Sequence, residues 1–446
     1  MPATRQLAER IANTDFGTIP DAATTVAKQA LMDFAGVALA GAREPLANLL
    51  AAEIAAAGGH PQAQLIGRPE KASVRQAAWF NGAAGHAHDY DDVHTDMIGH
   101  PTVPVAPAVL ALAEHRGNSG AEVIAAFCAG VDTECILGRY AGPGHYASGW
   151  HATGTLGSFG AAAAAAALRR LDAPATARAL GIAGTRAAGL KSQFGTMCKP
   201  LHAGEAAANG LEAVNLAARG FTSRTDILET DQGFMATQAD SSDIDRFERA
   251  VRQPAYTQNI CFKYHAACYL THSSIEAARQ LRAANGFDLD DIEDVQIEVD
   301  PGHFKVCNIR EPATGLEAKF SLRFTAAMAL AGIETASIDA FTDALTRDER
   351  LVALRDRVRV TAHATPIPES IVTIRTRDGA EHSLACNVAI PMADLDAQWR
   401  KLETKFRALA APRLGENAAA GLIGDFRNLE RMDDLSPLFN ALGAEA

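Results

Sequence analysis

The first half of the chain has the hydrophobic pattern of successive helices. After Pro20 and Asp21, which predict a helix start, apolar side chains recur three or four residues apart at Val26, Ala30 and Phe34. This spacing places them on one face of a helix. The other helical segments predicted in this half are residues 4–13, 45–57, 72–80, 109–115, 120–139, 154–168, 174–190 and 205–219.

Strand-like alternation begins in the second half of the chain. Val295, Ile297 and Val299 alternate with polar residues, as expected of a half-buried strand. The pair Asp378-Gly379, typical of a hairpin turn, separates two further strand-like runs. The elements predicted in this part are strands over residues 371–376 and 381–388, and helices over residues 321–334, 337–357 and 392–409.

The composition favours closely packed helices in more than one domain. Alanine is abundant and aromatic residues make up only 6% of the chain, which favours helices over a β-rich fold. A chain of 446 residues is longer than one ordinary hydrophobic core accommodates. We therefore predict a mainly α fold with a large all-helical domain, residues 1–267 and 399–446, and a smaller α+β lid domain, residues 268–398.

Charge, apolar runs and cysteines limit the partners and the compartment. The net charge is −12 and no run of Lys or Arg occurs, so no nucleic acid partner is expected. No apolar run reaches the ~18–20 residues that a membrane span needs, and the charged N-terminal segment is unlike a signal peptide. Seven scattered cysteines without a CxxC pair argue against a disulfide framework or a zinc knuckle, and predict a cytoplasmic protein.

Chemically active side chains are most concentrated between His86 and Pro101, in the sequence HAHDYDDVHTDMIGHP. Imidazole titrates near neutral pH, and a neighbouring carboxylate can orient or charge it. Both groups are also good metal ligands. From these residues alone, a metal site, an acid–base site and a site for a substrate anion remain open. The residues concerned are His86, His88, His94, His100, Asp89, Asp91, Asp92 and Asp96.

Two further segments place polar groups where packing alone does not require them. Tyr146 and His151 lie in a Gly-rich loop before an alanine-rich helix, and loops on a rigid scaffold often carry catalytic groups. Lys199 and His202 lie at a predicted helix N-terminus, a natural place to bind a carboxylate. The alternatives are surface rings in a flexible loop and a solvated lysine.

A third segment, CFKYHAACYLTH from Cys261, lies at the predicted domain junction, where ligands commonly bind. Its Lys263 and His265 are candidates for substrate binding, and a structural role is the alternative for the histidine. Because the chain is acidic overall, an anionic substrate requires a local cationic pocket. The residues that can supply positive charge or donors to a polycarboxylate are His100, His151, Lys199, His202, Lys263, His265 and Arg323.

The same segments resemble the MmgE/PrpD family. The resemblance is carried by GHAHDYDDVHTDMIGHPTVPVAPAVLALAE from Gly85, GWHATGTLGSFGAAAAAAAL from Gly149 and KPLHAGEAAANGLEAVNLAARGFT from Lys199, and it extends through FKYHAACYLTH and EAKFSLRF. It implies an all-helical domain with a smaller α+β lid, a homodimer, a small polyanionic substrate, and no metal or organic cofactor. Matched motif by motif, it implies a site made of Asp89, His100, His151, Lys199 and His265.

Within the family, the length and the remaining motifs are most similar to the members that epimerise iminodisuccinate. This similarity implies a cofactor-independent epimerase of an iminodisuccinate-like dicarboxylate or polycarboxylate. One alternative is a lyase acting on a tricarboxylate, of the 2-methylcitrate dehydratase or cis-aconitate decarboxylase kind. The other is a non-enzymatic dicarboxylate-binding protein. One departure from the family pattern is Phe324, which falls where the decarboxylases carry a tyrosine.

Epimerisation requires a base on one face of the reacting carbon and an acid on the other. We expect Lys199 on one side and Tyr146 or His151 on the other. Asp89 is expected to orient a neighbouring group and not to carry the proton, and Cys198 is a competing base. The predicted catalytic residues are therefore Lys199, Tyr146, His151 and Asp89, and the predicted substrate-binding residues are His100, His202, Lys263, His265 and Arg323.

Overall fold

The computed structural model describes residues 2–239, 243–286, 288–365 and 367–444. The chain divides into two compact units, Met1–Phe262 with Ala393–Ala446, and Lys263–Met392. In the described residues, helices dominate the first unit, whereas the second combines helices with a four-stranded sheet. The predicted mainly α fold with a smaller α+β part is therefore confirmed.

The first unit starts with a long series of helices. A two-stranded antiparallel ribbon, β1 with β2, lies between the third and the fourth helix. In chain order the elements are α1 Ala3–Ala12, α2 Asp21–Gly41, α3 Pro45–Ala57, β1 Ala63–Gln64, β2 Lys71–Ala72, α4 Val74–Gly85, α5 Thr102–Arg116, α6 Gly120–Ala141, α7 Pro143–Ala147, α8 Ala152–Leu168, α9 Ala173–Gly184, α10 Cys198–Ala218, α11 Phe234–Gln238 and α12 Ile244–Val251.

Helix α8 is the central packing element of the first unit. From Ala152 to Ala166 all of its residues are buried, and it packs against α5, α6, α9 and α10. Small side chains permit this close approach, and a Cβ atom on Gly157 would lie 2.7 Å from Cγ of Pro104. His151 is the N-cap residue of this helix, so the buried helix fixes the position of a predicted site residue.

The second unit is built on one mixed sheet. Its strands lie in the order β4-β3-β5-β6, with β3 parallel to β4 and antiparallel to β5, and β5 antiparallel to β6. Val295, Ile297 and Val299 are buried, as their alternation predicts, and Gly379 adopts a φ of 88° in the β5–β6 turn. The elements are α13 Tyr269–Asn285, β3 Ile292–Val299, α14 Gly315–Ala318, α15 Leu322–Ala331, α16 Glu349–Arg355, β4 Val358–Ala362, β5 Ser370–Thr376 and β6 Glu381–Cys386.

Two features of the second unit differ from the predicted elements. The helix predicted over residues 337–357 is shortened to α16, because the Asp348 side chain accepts hydrogen bonds from two backbone N–H groups and starts the helix there. The residues before Asp348 form short 3-10 turns instead. Strand β4 is absent from the predicted elements and begins at Val358, directly after the end of the predicted helix. Its five residues are too few for a distinctive hydrophobic pattern.

The C-terminal helices belong to the first unit. They are α17 Leu395–Leu414, α18 Glu416–Arg427 and α19 Ser436–Leu442. Helix α17 packs against α2 and α18. None of the described helices is both long and apolar enough to cross a lipid bilayer.

Candidate active site

The loop between α4 and α5, residues 86–101, has a fixed and partly strained backbone. Asp89 and Ile98 adopt φ values of 52° and 53°, a left-handed conformation that costs a residue other than glycine about 1–2 kcal/mol. The loop is held internally, where the His94 N–H donates to the Gly99 carbonyl at 2.9 Å. A backbone held in such a conformation by its surroundings is frequent at functional sites.

Asp91 lies between two histidines of this loop. Its carboxylate oxygens are 2.8 Å from Nδ1 of His86 and 3.0 Å from Nδ1 of His100. Burial alone would raise the pKa of Asp91, but the two imidazoles lower this pKa well below its usual value. Burial lowers the pKa of His86 to about 4. Asp91 is therefore a buried anion that orients both rings.

Asp89 joins the loop to α10. Its Oδ1 lies 2.7 Å from Nζ of Lys199 and 3.5 Å from Nε2 of His100. The Lys199 ammonium also lies 5.2 Å from the ring centroid of Phe194. Lys199 stands in the first turn of α10, where free backbone N–H groups favour an anion. The lysine predicted from the sequence is therefore in direct contact with the predicted aspartate.

Two further histidines complete the cluster. Nδ1 of His151 lies 3.0 Å from Nδ1 of His202, and the ring of His151 stacks on that of His86 at 5.9 Å. Burial lowers the pKa of both His151 and His202, very strongly for His151. Nε2 of His151 is buried and has no hydrogen-bond partner among the described residues. His151 is therefore a neutral imidazole within the cluster.

Tyr146 lies on the short helix α7. The Nζ atom of Lys191 is 3.6 Å from its ring centroid and donates a hydrogen bond to its carbonyl oxygen at 2.9 Å. Burial, and secondarily the charge of Asp89, raise the pKa of the Tyr146 hydroxyl. The phenol is therefore protonated at neutral pH and lies within the electrostatic influence of Asp89.

The remaining three predicted residues belong to the second unit. His265 is buried, with Nδ1 2.7 Å from Oγ1 of Thr335 and Nε2 3.1 Å from Oε1 of Glu276. Arg323 is also buried and donates to Oδ1 of Asn308 at 2.6 Å. Lys263 is 2% exposed. The part of these three residues in substrate binding stays a prediction.

The His86, Asp89, Asp91 and His100 side chains offer ligand atoms within 4.8 Å of one another. A divalent cation there would have to compete with the Lys199 ammonium for Asp89. It would also have to use the Nε2 atoms, because the Nδ1 atoms of both histidines face Asp91. These groups therefore fit a site for an anion, with the Lys199 ammonium as its cation, better than a site for a metal ion. The expectation from the sequence that no metal is bound stays a prediction.

The model of the MmgE/PrpD N-terminal domain matches residues 5–246, and that of the MmgE/PrpD C-terminal domain matches residues 265–429. The chain belongs to the MmgE/PrpD family. The resemblance inferred from the sequence is therefore confirmed at the level of the family.

Three curated relatives of this MmgE/PrpD protein are named cis-aconitate decarboxylase. Cis-aconitate decarboxylase from Homo sapiens is 26% identical over 467 residues, 98% of this chain and 94% of the relative. The protein of the same name from Mus musculus is 27% identical over 84% of this chain and 80% of its own. Cis-aconitate decarboxylase from Aspergillus terreus is 26% identical over 98% of this chain and 95% of its own.

These relatives correct the function predicted from the sequence. The prediction of an isomerase that epimerises iminodisuccinate is wrong, because relatives that match along nearly the full chain are named as decarboxylases, which are lyases. Both reactions require a cationic pocket for a polycarboxylate, so the presence of cationic residues does not distinguish between them.

Several buried residues in or near the cluster are not among the predicted site residues. His86 and Asp91 lie in the centre of the cluster. The only sequence signal for their role is their position in the HAHDYDD motif. Asp92 is buried and accepts from the Thr102 N–H at 3.3 Å, and burial raises its pKa to about 8. On α6, burial raises the pKa of Glu134 well above its usual value. Only the fold reveals that these acids are buried.

Other candidates lie apart from the cluster. His94 is buried with Nε2 3.1 Å from the Tyr256 carbonyl, and Nε2 of His88 lies 3.6 Å from Oε1 of Glu44. Both contacts are with groups outside the cluster. Cys198, the competing base, is exposed at the first residue of α10.

Proposed function

We propose that the protein is a cofactor-independent lyase that acts on a tricarboxylate, and that its reaction is the decarboxylation of cis-aconitate. The names and full-length similarity of the relatives support this class of reaction. The observation that carries the proposal is the contact between Lys199 and Asp89, 2.7 Å apart beside His100. It supplies a proton donor next to groups that bind carboxylates.

The chemistry sets three requirements for the site. When the CH2–carboxylate arm of cis-aconitate loses CO2, the electron pair of the broken C–C bond forms a new terminal C=C bond. The electrons of the original double bond then take up one proton at the carbon on its far side. The site must therefore hold two surviving carboxylates, let the third leave as neutral CO2, and deliver one proton. Donors arranged in advance around a developing charge provide most of such catalysis.

The residues of the first unit can be assigned to these requirements. Lys199 is the proton donor in our proposal, and Asp89 holds its ammonium in place. His100, backed by Asp91, and His202 bind the surviving carboxylates. His151 is neutral, so its unused Nε2 can donate a hydrogen bond without adding a charge that would retain the departing carboxylate. The phenol of Tyr146 is the alternative proton donor.

A second candidate is a hydro-lyase acting on 2-methylcitrate. The observation that favours it is Phe324, fully buried in α15, where the decarboxylases of the family carry a tyrosine. A phenyl ring cannot supply the hydrogen bond that a tyrosine hydroxyl would make. A dehydratase would use the same cationic pocket but would remove a proton next to a carboxylate and protonate a leaving hydroxyl.

One experiment distinguishes the two candidates. The purified protein is incubated with cis-aconitate or with 2-methylcitrate in D2O, and products are followed by NMR and by CO2 release. Decarboxylation gives CO2 and a five-carbon dicarboxylate with one deuterium on its new CH2 group, whereas dehydration gives an alkene without CO2. Product from neither substrate would overturn the proposal of a tricarboxylate lyase.

A variant pair tests the role of Lys199. Lys199→Met is expected to lower kcat by roughly 10²–10⁴-fold, the range that a general acid contributes. Lys28→Met is the matched control, because Lys28 also forms an ion pair, with Glu430 at 2.9 Å, but takes no part in the cluster. Retained kcat in Lys199→Met with weaker substrate binding would assign the lysine to binding alone.

A further inference from the structure

A buried ion pair lies next to the loop that carries Asp89 and Asp91. Lys405 of α17 is fully buried, and its Nζ lies 2.7 Å and 2.9 Å from the two carboxylate oxygens of Asp33 on α2. The same ammonium donates to the Tyr90 carbonyl at 2.8 Å and lies 4.0 Å from the centroid of the Tyr90 ring. The three N–H groups thus have three oxygen acceptors.

The carbonyl that Lys405 holds is at a critical place in the backbone. Tyr90 lies between Asp89, whose φ is 52°, and Asp91. Because a non-glycine residue rarely adopts this conformation, neighbouring contacts must maintain it. On one side, the Asp89 N–H donates to the His86 carbonyl at 3.1 Å. On the other side, the Lys405 hydrogen bond fixes the peptide that joins residues 90 and 91.

A displacement of the backbone at Tyr90 would shift both aspartates that flank it in the chain. Asp89 would move relative to Lys199 and His100, from which its Oδ1 is now 2.7 Å and 3.5 Å distant. Asp91 would move relative to the Nδ1 atoms of the two imidazoles it orients. A misplacement of about 1 Å can cost an enzyme roughly a hundredfold in rate.

We propose that Lys405 is a positioning residue for the lyase reaction: its ammonium, anchored by Asp33, fixes the Tyr90 carbonyl and through it the directions of Asp89 and Asp91. The reaction named in this inference rests on the proposed function, whereas the geometry it describes belongs to the folded chain. Lys405 does not contact the substrate itself, since its three N–H groups are used within the protein.

The test uses variants of the full chain that keep the buried charges balanced. Lys405→Met alone leaves Asp33 buried without a counter-charge, which destabilises proteins strongly. The double variant Asp33→Asn/Lys405→Met removes both charges and nearly keeps both volumes, so it is expected to fold while it loses the hydrogen bond to Tyr90. Lys401→Met, one turn earlier on α17 and partly exposed, is the matched control.

Two readouts are measured on protein whose thermal unfolding is cooperative. With cis-aconitate as substrate, kcat of the double variant is expected to fall roughly 10- to 100-fold, with KM changing less than about threefold because the cationic groups remain. In 15N-histidine NMR spectra without substrate, the signals of His86 and His100, assigned with His→Gln variants, are expected to shift. The Lys401→Met control should change neither readout.

Each other outcome is decisive. Unchanged histidine signals in the folded double variant overturn the inference, whatever happens to kcat. Shifted signals with unchanged kcat also overturn it, because the position of the loop then does not matter for the reaction. If the unsubstituted protein releases no CO2 from cis-aconitate, the proposed function fails, and the histidine spectra still decide whether Lys405 positions the loop.

Discussion

Asp89 and Lys199 meet at 2.7 Å although 110 residues separate them in the chain. The carboxylate of Asp89 is 54% exposed, so the pair contributes little to stability, about 0–1 kcal/mol for a pair of this kind. The main effect of the pair is therefore that Asp89 orients the Lys199 ammonium. The ammonium is held beside the most exposed carboxylate of the cluster, whereas His86, Asp91 and His151 are buried.

Asp89→Asn is expected to lower kcat roughly 10²–10³-fold with little loss of stability. Asparagine has the same shape and tolerates the left-handed backbone that residue 89 requires, but it cannot hold the Lys199 ammonium as a charged partner. Steady-state kinetics and thermal unfolding check this. Asp96→Asn is the control, because Asp96 lies in the same loop and pairs with Arg139 at 3.0 Å. Equal effects of the two variants would contradict the prediction.

Asp92→Asn is expected to change how stability depends on pH. Burial raises the pKa of Asp92 to about 8, against an unfolded value near 3.9. Between these values the folded state binds the extra proton, so Asp92 lowers the free energy of unfolding as the pH rises from 4 to 8. An asparagine removes this dependence.

Urea unfolding at pH 5 and pH 8 measures the effect of Asp92→Asn. The advantage of the variant over the unsubstituted protein should grow by about 2–4 kcal/mol between the two pH values. Asp96→Asn, which replaces a half-exposed carboxylate, should show no such growth. Parallel stability curves for Asp92→Asn and the unsubstituted protein would mean that Asp92 is ionised when folded.

His202→Phe is expected to lower kcat/KM about tenfold, because it removes the hydrogen bond to Nδ1 of His151 and leaves that nitrogen unpaired, at a cost of about 1–3 kcal/mol. The phenyl ring preserves most of the packing. His88→Phe, at a histidine 3.6 Å from Glu44, is the control and should retain activity. A normal kcat/KM in His202→Phe would contradict both the orienting contact with His151 and the proposed role of His202 in binding a carboxylate.

The sequence predicts much of the fold because its signals are local. The alanine-rich run of α8 and the buried alternation of Val295, Ile297 and Val299 need no knowledge of distant segments. By contrast, Asp348 moves the start of α16 through a single capping contact. The capping residue is visible in the sequence, but a longer helical pattern around it easily outweighs this signal when the helix start is predicted.

The site is less predictable because it depends on burial. Lys199 and Asp89 can be selected as chemically suited residues, but their contact cannot be derived from spacing. The pKa of Asp92 and the role of Lys405 depend on desolvation, which results from how α2 and α17 pack. Reaction type is harder still, since an epimerase and a decarboxylase need the same cationic pocket, and this is where the sequence prediction is wrong.

Metal removal provides a separate check on the cluster. Activity should survive dialysis against a strong chelator, and added Zn²⁺ should inhibit, because a divalent cation bound by His86, Asp89, Asp91 and His100 would displace Lys199 from Asp89. Inhibition should weaken in Asp89→Asn, measured relative to the residual activity of that variant. Loss of activity on chelation that zinc restores would reverse the assignment to a metal-free site.

The crossing of α4 and α10 supplies the last prediction. A Cβ atom on Gly82 would lie 2.9 Å from Cα of Gly204, so the two backbones are in contact. Helix α4 leads into Asp89, and the first turn of α10 carries Lys199. Gly204→Ala should therefore separate the helices and move the lysine away from the aspartate.

We expect Gly204→Ala to cost about 1–3 kcal/mol of stability, as overpacking does, and to lower kcat in the protein that remains folded. Gly421→Ala is the matched control, since Gly421 is a helical glycine of α18 around which a Cβ would meet no described atom within 4 Å. There the substitution should stabilise the helix by about 0.5–1 kcal/mol. Chemical unfolding and kcat measured on both variants test this, and a stable, fully active Gly204→Ala would mean that the contact between α4 and α10 does not set the distance between Asp89 and Lys199.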